Sequence, residues 1–506
     1  MAEQLASVTT LGHRLPASVD VLVVGAGLSG IGTGHYLKTE LPGRSFAIVE
    51  AADSVGGTWR TFRYPGIRSD SDMHTFGFAF KPWRSNNSIA DSHEIISYLE
   101  GVIREDGLEK NLHFGYRVQS ASWSSAEGRW NVALADNAGE IHRLSAGVLF
   151  SAAGYYDHGA GFAPEFEGSE DFGGQIIHPQ FWPENFDYSG KRVVVIGSGA
   201  TAVTLVPSMA DRTEHITMLQ RSPSYVIPIP RQDPIAKVMR KVLPADTAHK
   251  VMRKVDVGRN RLVYNLSQNH PKMMRKVIRR LNVMSLPKGY DVDTHFNPSY
   301  DPWDQRLCMV PDGDMFKAIR AGKADVVTDH IERFTPTGIQ LKSGKHLDAD
   351  VIITATGLNL LAFGGIAIDL DGEPLDLPKT VAYKAMMLSG VPNFAFAIGY
   401  TNISWTLKVD LVCEHFVRLL KLMDAKGATV ITPELDPTFP IPDKPLLDFA
   451  AGYVQRSLHL WPRAGEHGPW EFKMDYKFDG ERLRGAVEDD ALVFSNPTRE
   501  TAAVAR

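Results

Sequence analysis

Two stretches of the chain share one rhythm, and together they restrict the possible fold more than any other feature. In residues 20–50, DVLVVGAGLSGIGTGHYLKTELPGRSFAIVE, an apolar run enters a glycine turn, passes through a helix-length segment and closes on a second apolar run. Residues 191–221, KRVVVIGSGATAVTLVPSMADRTEHITMLQR, repeat that order. Two strand–turn–helix–strand units predict two Rossmann-like βαβ modules, hence an α/β fold with mostly parallel sheets. A further apolar run at 350–354, followed by Ala355-Thr356-Gly357, predicts a strand that closes a sheet. Residues 111–153 alternate polar and apolar positions (VQSASW, RWNVALA) and predict a meander joining the halves of a dinucleotide fold.

The first turn carries Gly25-x-Gly27-x-x-Gly30, the spacing that lets a backbone approach a pyrophosphate at a helix N-terminus. Glu50 ends the next apolar run, where a carboxylate binds ribose hydroxyls and disfavours a 2′-phosphate. This site is therefore expected to hold FAD or NAD(H). Downstream, Gly57, Thr58 and Trp59 in a Gly-Gly-Thr-Trp run suit a backbone folding around a flat ring, the flavin side of such a site. The second turn carries Gly197-x-Gly199-x-x-Ala202, and its following strand ends in Arg221-Ser222 with no acid. A guanidinium there pairs with a 2′-phosphate, which favours NADPH over NADH. One acid-tipped and one arginine-tipped site in a single chain point to FAD reduced by NADPH.

The domains expected from this order are an FAD domain from residues 1–150 and 380–506, and an NADPH domain from 151–228 and 303–379. A helical insertion is expected at 229–302, where the period turns helical and bases outnumber acids, as in PKMMRKVIRRLNVM. A basic amphipathic stretch can lie on an anionic membrane, but a helical lid with a solvated basic face is the commoner outcome and the expectation here. The Pro-rich residues 432–444 predict a loop leading into an irregular C-terminal tail. Net charge is −5, so no global charge points to nucleic acid. The N-terminus has no basic start before an apolar core, and no run of eighteen apolar residues occurs, so a cytoplasmic protein is expected.

The fate of the electrons is decided by two further features. A disulfide reductase needs a close cysteine pair beside the flavin, whereas Cys308 and Cys413 lie far apart and neither is near Gly57. Between the two modules, Phe172-Gly173-Gly174-Gln175-Ile176-Ile177-His178-Pro179-Gln180-Phe181-Trp182-Pro183 fits F-x-G-x-x-x-H-x-x-x-W-P, the fingerprint of Baeyer–Villiger monooxygenases. Together with GGTW, RYPGIRSDSDMHT, LQRSPSY, WDQRLCMVPDGD and ITATGLN, it makes the chain resemble the ethionamide-activating branch of that family over most of residues 20–460. The resemblance implies FAD reduced by NADPH and attacked by O2 to a C4a-peroxyflavin, which converts ketones to esters or lactones and oxygenates sulfides or thioamides. It also implies that Arg306 is the fixed cation beside the flavin, that Asp70 holds it by an ion pair, and that His178 positions the cofactor domains. Many members carry Lys immediately before this arginine, contacting the NADPH phosphate; Gln305 stands here, which leaves more of that recognition to Arg221 and Ser222. O2 and a small ketone or sulfide are the expected partners, and no metal site is expected. Rival readings are a monooxygenase acting mainly on heteroatoms, a reductase serving a protein acceptor, and a non-catalytic flavin-binding regulator.

Overall fold

The computed structural model describes residues 14–436, 438–447 and 452–497. Two sheets carry the architecture. In the first, β1 (Ser18–Val24), β2 (Phe46–Glu50) and β3 (Leu112–Phe114) run parallel, and α1 (Leu28–Glu40) connects β1 to β2. Val21, Leu22, Val23 and Val24 are all buried, so this strand reads as a continuous apolar run: a parallel strand is covered on both faces. The meander follows as β4 (Tyr116–Ser124), β5 (Arg129–Asp136) and β6 (Ile141–Ser151). It belongs to the sheet itself, because β6 pairs in parallel with β1 (Val21 opposite Val148) and its end also takes Phe394–Phe396 alongside.

The second sheet is wholly parallel. Its strands are β7 (Gln175–Ile177), β8 (Arg192–Ile196), β9 (His215–Gln220), β10 (Ala324–Thr328) and β11 (Val351–Thr354), in the spatial order β10-β9-β8-β11-β7. The helix α2 (Ala200–Met209) connects β8 to β9. Between β9 and β10 the chain leaves the sheet for the helical insertion: α3 (Pro234–Val242), α4 (Ala245–Asn269), α5 (Pro271–Ser285) and α6 (Val292–Phe296). Asp233 starts α3 by accepting from the amides of Ile235 and Ala236, with Pro234 in the first turn where its missing N–H costs nothing. The insertion is latched onto the first domain through α4. Arg253 donates to the carbonyls of His74, Thr75 and Gly77 and pairs with buried Asp410 at 2.7 Å.

Two expectations are corrected. The chain rejoins the first sheet before residue 380: Ala367–Leu370 pairs with β4, covering an edge that would otherwise expose unpaired backbone. Nor is the C-terminal segment irregular throughout its described residues. Tyr476–Arg484 is a helix capped by Asp475, and Leu492–Ser495 pairs antiparallel with Val430–Pro433. Pro437, within the Pro-rich loop, lies outside the described residues. No helix among the described residues is long and apolar enough to cross a membrane.

Candidate active site

In open α/β sheets a ligand crevice forms where the connections from two neighbouring strands diverge beyond their carboxyl ends. In the first sheet that point lies between β1 and β6, and a cavity of about 660 Å³ opens there. The turn after β1 explains its own glycines. A Cβ on Gly25, at φ +104°, would meet the Ala152 carbonyl at 2.7 Å, and one on Gly30 would stand 1.8 Å from the Gly25 oxygen. Close strand–strand and helix–turn packing thus forces both residues. Gly27 faces Gly57 across the crevice, with nothing but backbone between them, and both line the cavity with Thr58 and Trp59. Glu50 reaches the same crevice from β2. Its carboxylate accepts from the amides of Ala26 at 2.8 Å and Ala52 at 2.9 Å, which fixes both oxygens beside the glycine turn. A bare backbone, a helix start with no side-chain cap and a positioned carboxylate fit an adenine dinucleotide carrying a flat ring.

The second turn is built alike. Gly197 has φ +136°, and a Cβ there would strike the Ala355 carbonyl at 2.3 Å, so the turn after β8 packs closely on the turn after β11. Nothing stands within 4 Å of a Cβ placed on Gly199, which leaves that backbone bare to the crevice, while Ala202 is buried inside α2. Arg221 and Ser222 follow β9 as exposed residues, and Arg221 has no ion pair among the described residues. Gln305 is half-buried next to Arg306. The first turn of α2, with Ala200 and Thr201, lines the same cavity as Gly27 and Glu50, whereas Gly197, Gly199, Ala202, Arg221, Ser222 and Gln305 stand outside its lining.

Arg306 and Asp70, 236 positions apart, meet in that space as an ion pair of 2.7 Å. Each is walled by protein yet turns about a third of its side chain to the cavity (31% and 34%). Burial works against the guanidinium's charge, but Asp70 and the neighbouring Tyr155, Tyr453 and Tyr156 raise its pKa above the ordinary arginine value, so it stays a cation. Arg68, on the same loop as Asp70, pairs with Asp314. The loop is therefore tied to the second domain at two points.

Two lining groups, Tyr155 and Tyr156, were not singled out from the sequence. Tyr155 and Tyr156 follow β6, with their hydroxyls 3.1 Å apart, and burial raises both phenols above their ordinary pKa. They are neutral donors beside Arg306. Tyr155 stacks on Trp405 at 5.1 Å, and Trp405 donates to Ser29 in the first helix. The signal was the run Ala152-Ala153-Gly154-Tyr155-Tyr156 after an apolar strand, a third glycine turn in register with the other two. Tyr400 also lines the cavity, its hydroxyl donating to Asp479 at 2.6 Å.

His178 stands outside the cavity lining. Its Nδ1 accepts from the Gln180 amide at 3.2 Å and its Nε2 lies 3.2 Å from the Gly357 carbonyl, in the turn after β11. Burial lowers its pKa, so the ring is a neutral strut with both nitrogens engaged by backbone. Cys308 is buried with its Sγ 3.8 Å from the Ser198 carbonyl, and burial pushes its thiol up to about 12. Cys413 is buried in the Trp405–Ala425 helix, so the two thiols form no disulfide.

Two dinucleotide-type glycine turns, whose helices both start at one cavity with a fixed cation in its wall, define a two-nucleotide oxidoreductase. The sequence model of the NAD(P)-binding Rossmann-like domain matches residues 23–87. The chain is 49% identical to the FAD-containing monooxygenase EthA of Mycobacterium tuberculosis over 479 residues, covering 94% of this chain and 98% of that protein. It is 48% identical over 484 residues to the probable FAD-binding monooxygenase AlmA of Acinetobacter baylyi, covering 96% and 97%. Among solved structures, an oxidised steroid monooxygenase bound to NADP matches 95% of this chain and 100% of its own with a TM-score of 0.75 at 22% identity, a likeness of fold. The chain belongs to the EthA-like family of flavin-containing monooxygenases.

Proposed function

We propose that this flavin monooxygenase uses FAD and NADPH to carry out Baeyer–Villiger oxidation of ketones to esters or lactones, with oxygenation of sulfides or thioamides as a second activity. The observation that carries this reading is the Arg306–Asp70 pair in the wall of a cavity lined by the first glycine turn and by the first turn of α2. Bound flavin, reduced by the nicotinamide, supplies the activated oxygen. The chain's own contribution is electrostatic. Oxygen addition to a carbonyl leaves negative charge on its oxygen, and a cation fixed in advance stabilises that charge without reorganisation. Asp70 holds Arg306 in place, while Tyr155, Tyr156 and Trp405 line the site with aromatic surface that excludes water. Gly25, Gly27, Gly30, Glu50, Gly57, Thr58 and Trp59 hold the flavin nucleotide; Gly197, Gly199, Ala202, Arg221, Ser222 and Gln305 hold NADPH. His178 braces the linker between the domains and moves no proton, since its ring is neutral and both nitrogens face backbone partners.

The test is incubation of the FAD-loaded protein with NADPH, a ketone and isotopically labelled O2, followed by mass spectrometry. One labelled oxygen in an ester product is expected, and a labelled sulfoxide when a sulfide replaces the ketone. Sulfoxide with no ester from any ketone would favour the heteroatom reading. Peroxide release with no oxygenated organic product would overturn both.

A further inference from the structure

We propose that the helical insertion docks this protein on the surface of an anionic lipid bilayer. A lid with a solvated basic face should be polar on its outer side, and this one is not. On α3, Ile235, Val238 and Val242 recur at i, i+3 and i+7, and Val238 and Val242 are 56% and 67% exposed. On α5, Met273, Val277, Leu281 and Met284 recur at i, i+4, i+8 and i+11, a single stripe whose last member is 70% exposed. The opposite face of α5 does the packing, with Ile278 and Asn282 buried. Leu262 on α4 is 59% exposed as well. Apolar stripes left in water on successive helices of one insertion lack a covering surface.

The charge beside the stripes identifies that surface. Over the insertion, residues 229–302, stand fifteen Lys and Arg against six Asp, a net +9, although the whole chain carries −5. On α5, Lys272, Lys276 and Arg280 recur every fourth residue and form a second stripe next to the apolar one; on α3, Lys237 and Lys241 do the same. None of these five has a carboxylate partner among the described residues. Long cationic side chains flanking an apolar stripe can reach lipid phosphates while the stripe enters the headgroup boundary. The remainder of the chain carries −14 (−5 less +9). An anionic bilayer therefore attracts the insertion and repels the rest, which fixes the orientation. A second copy would bring the same +9 against this face.

The test is flotation of the flavin-loaded protein with vesicles of phosphatidylcholine alone and of phosphatidylcholine mixed equally with phosphatidylglycerol. Binding is expected only to the anionic vesicles and should weaken as salt rises. Each cation near the surface contributes about fivefold. The combined Lys272→Gln, Lys276→Gln and Arg280→Gln variant should therefore bind roughly a hundredfold more weakly. Val277→Ser with Met284→Ser should weaken binding while keeping its salt dependence. Unchanged flavin content and NADPH oxidation in both variants would show that they fold. Equal binding to neutral vesicles, or wild-type binding by folded variants, would overturn the proposal. So would lipid-free self-association that the serine variant abolishes, because a second copy would then be the cover.

Discussion

Replacing Arg306 by alanine separates what this side chain does for folding from what it does for chemistry. The Arg306–Asp70 contact is short at 2.7 Å, but about a third of each side chain faces the cavity. A pair that wet contributes about 1 kcal/mol or less to stability. A preorganised donor aimed at charge that appears only in the transition state contributes about 2.7–4 kcal/mol, a factor of roughly 10² to 10³ in rate. The two figures differ enough to be told apart. Arg306→Ala should fold, retain FAD and still oxidise NADPH, because Arg306 takes no part in either glycine turn. Ester formation should fall by roughly 10² to 10³, with the reducing equivalents appearing as peroxide. Asp70→Asn should fall less, since it leaves the cation present but loosely held. The assay is the ratio of ester formed to NADPH consumed, alongside a denaturant unfolding curve. A wild-type ratio would remove Arg306 from the mechanism. A stability loss of several kcal/mol that accounts for the missing product would make its role structural.

Four other outcomes are expected. Gly30→Ala forces a methyl group to within 1.8 Å of the Gly25 oxygen, so the first turn must open, and the purified protein should be depleted of flavin by absorbance. Arg221→Ala should raise the KM for NADPH while leaving that for NADH nearly unchanged; a parallel rise in both would place the 2′-phosphate elsewhere. Arg253→Ala strands buried Asp410, a loss of about 3–5 kcal/mol for a broken buried pair, measured as a shift in the urea midpoint. His249 is lowered from 6.5 to about 4, first by burial and then by the charges of Arg253, His74 and Arg240. The unfolded chain then binds the extra proton between those values, so stability falls as pH drops through that window. His249→Phe should lose less stability than the wild type between about pH 7 and about pH 5.

What could be read from the sequence and what could not divide along physical lines. The two glycine turns were legible because strand, turn, helix and next strand occupy one continuous stretch, and the steric demand at Gly30, set by the Gly25 oxygen, acts within that stretch; the demand at Gly25 comes from Ala152, far along the chain. The helical insertion was legible because α3, α4 and α5 are long enough for the 3.6-residue period to declare itself. The domain boundary near residue 380 was misjudged because Ala367–Leu370 is four residues long and owes its pairing to the free edge of β4, which no local pattern records. The C-terminal strand Leu492–Ser495 is equally short and exists only because Val430–Pro433 accepts it.

The site shows the same division more sharply. Arg306 and Asp70 were paired through resemblance to a family; nothing in either neighbourhood requires a contact across 236 positions. The contact follows once three longer-range facts hold together. The loop bearing Asp70 is tied to the second domain by the Arg68–Asp314 pair. The turn after β6 places Tyr155 and Tyr156 at the divergence of the first sheet, and α2 opens its first turn into the same cavity. A charge pair formed between two domains can respond to their relative position in a way that one formed within either cannot. In this chain the predicted cation is therefore held by the same contact that brings the two nucleotide crevices together.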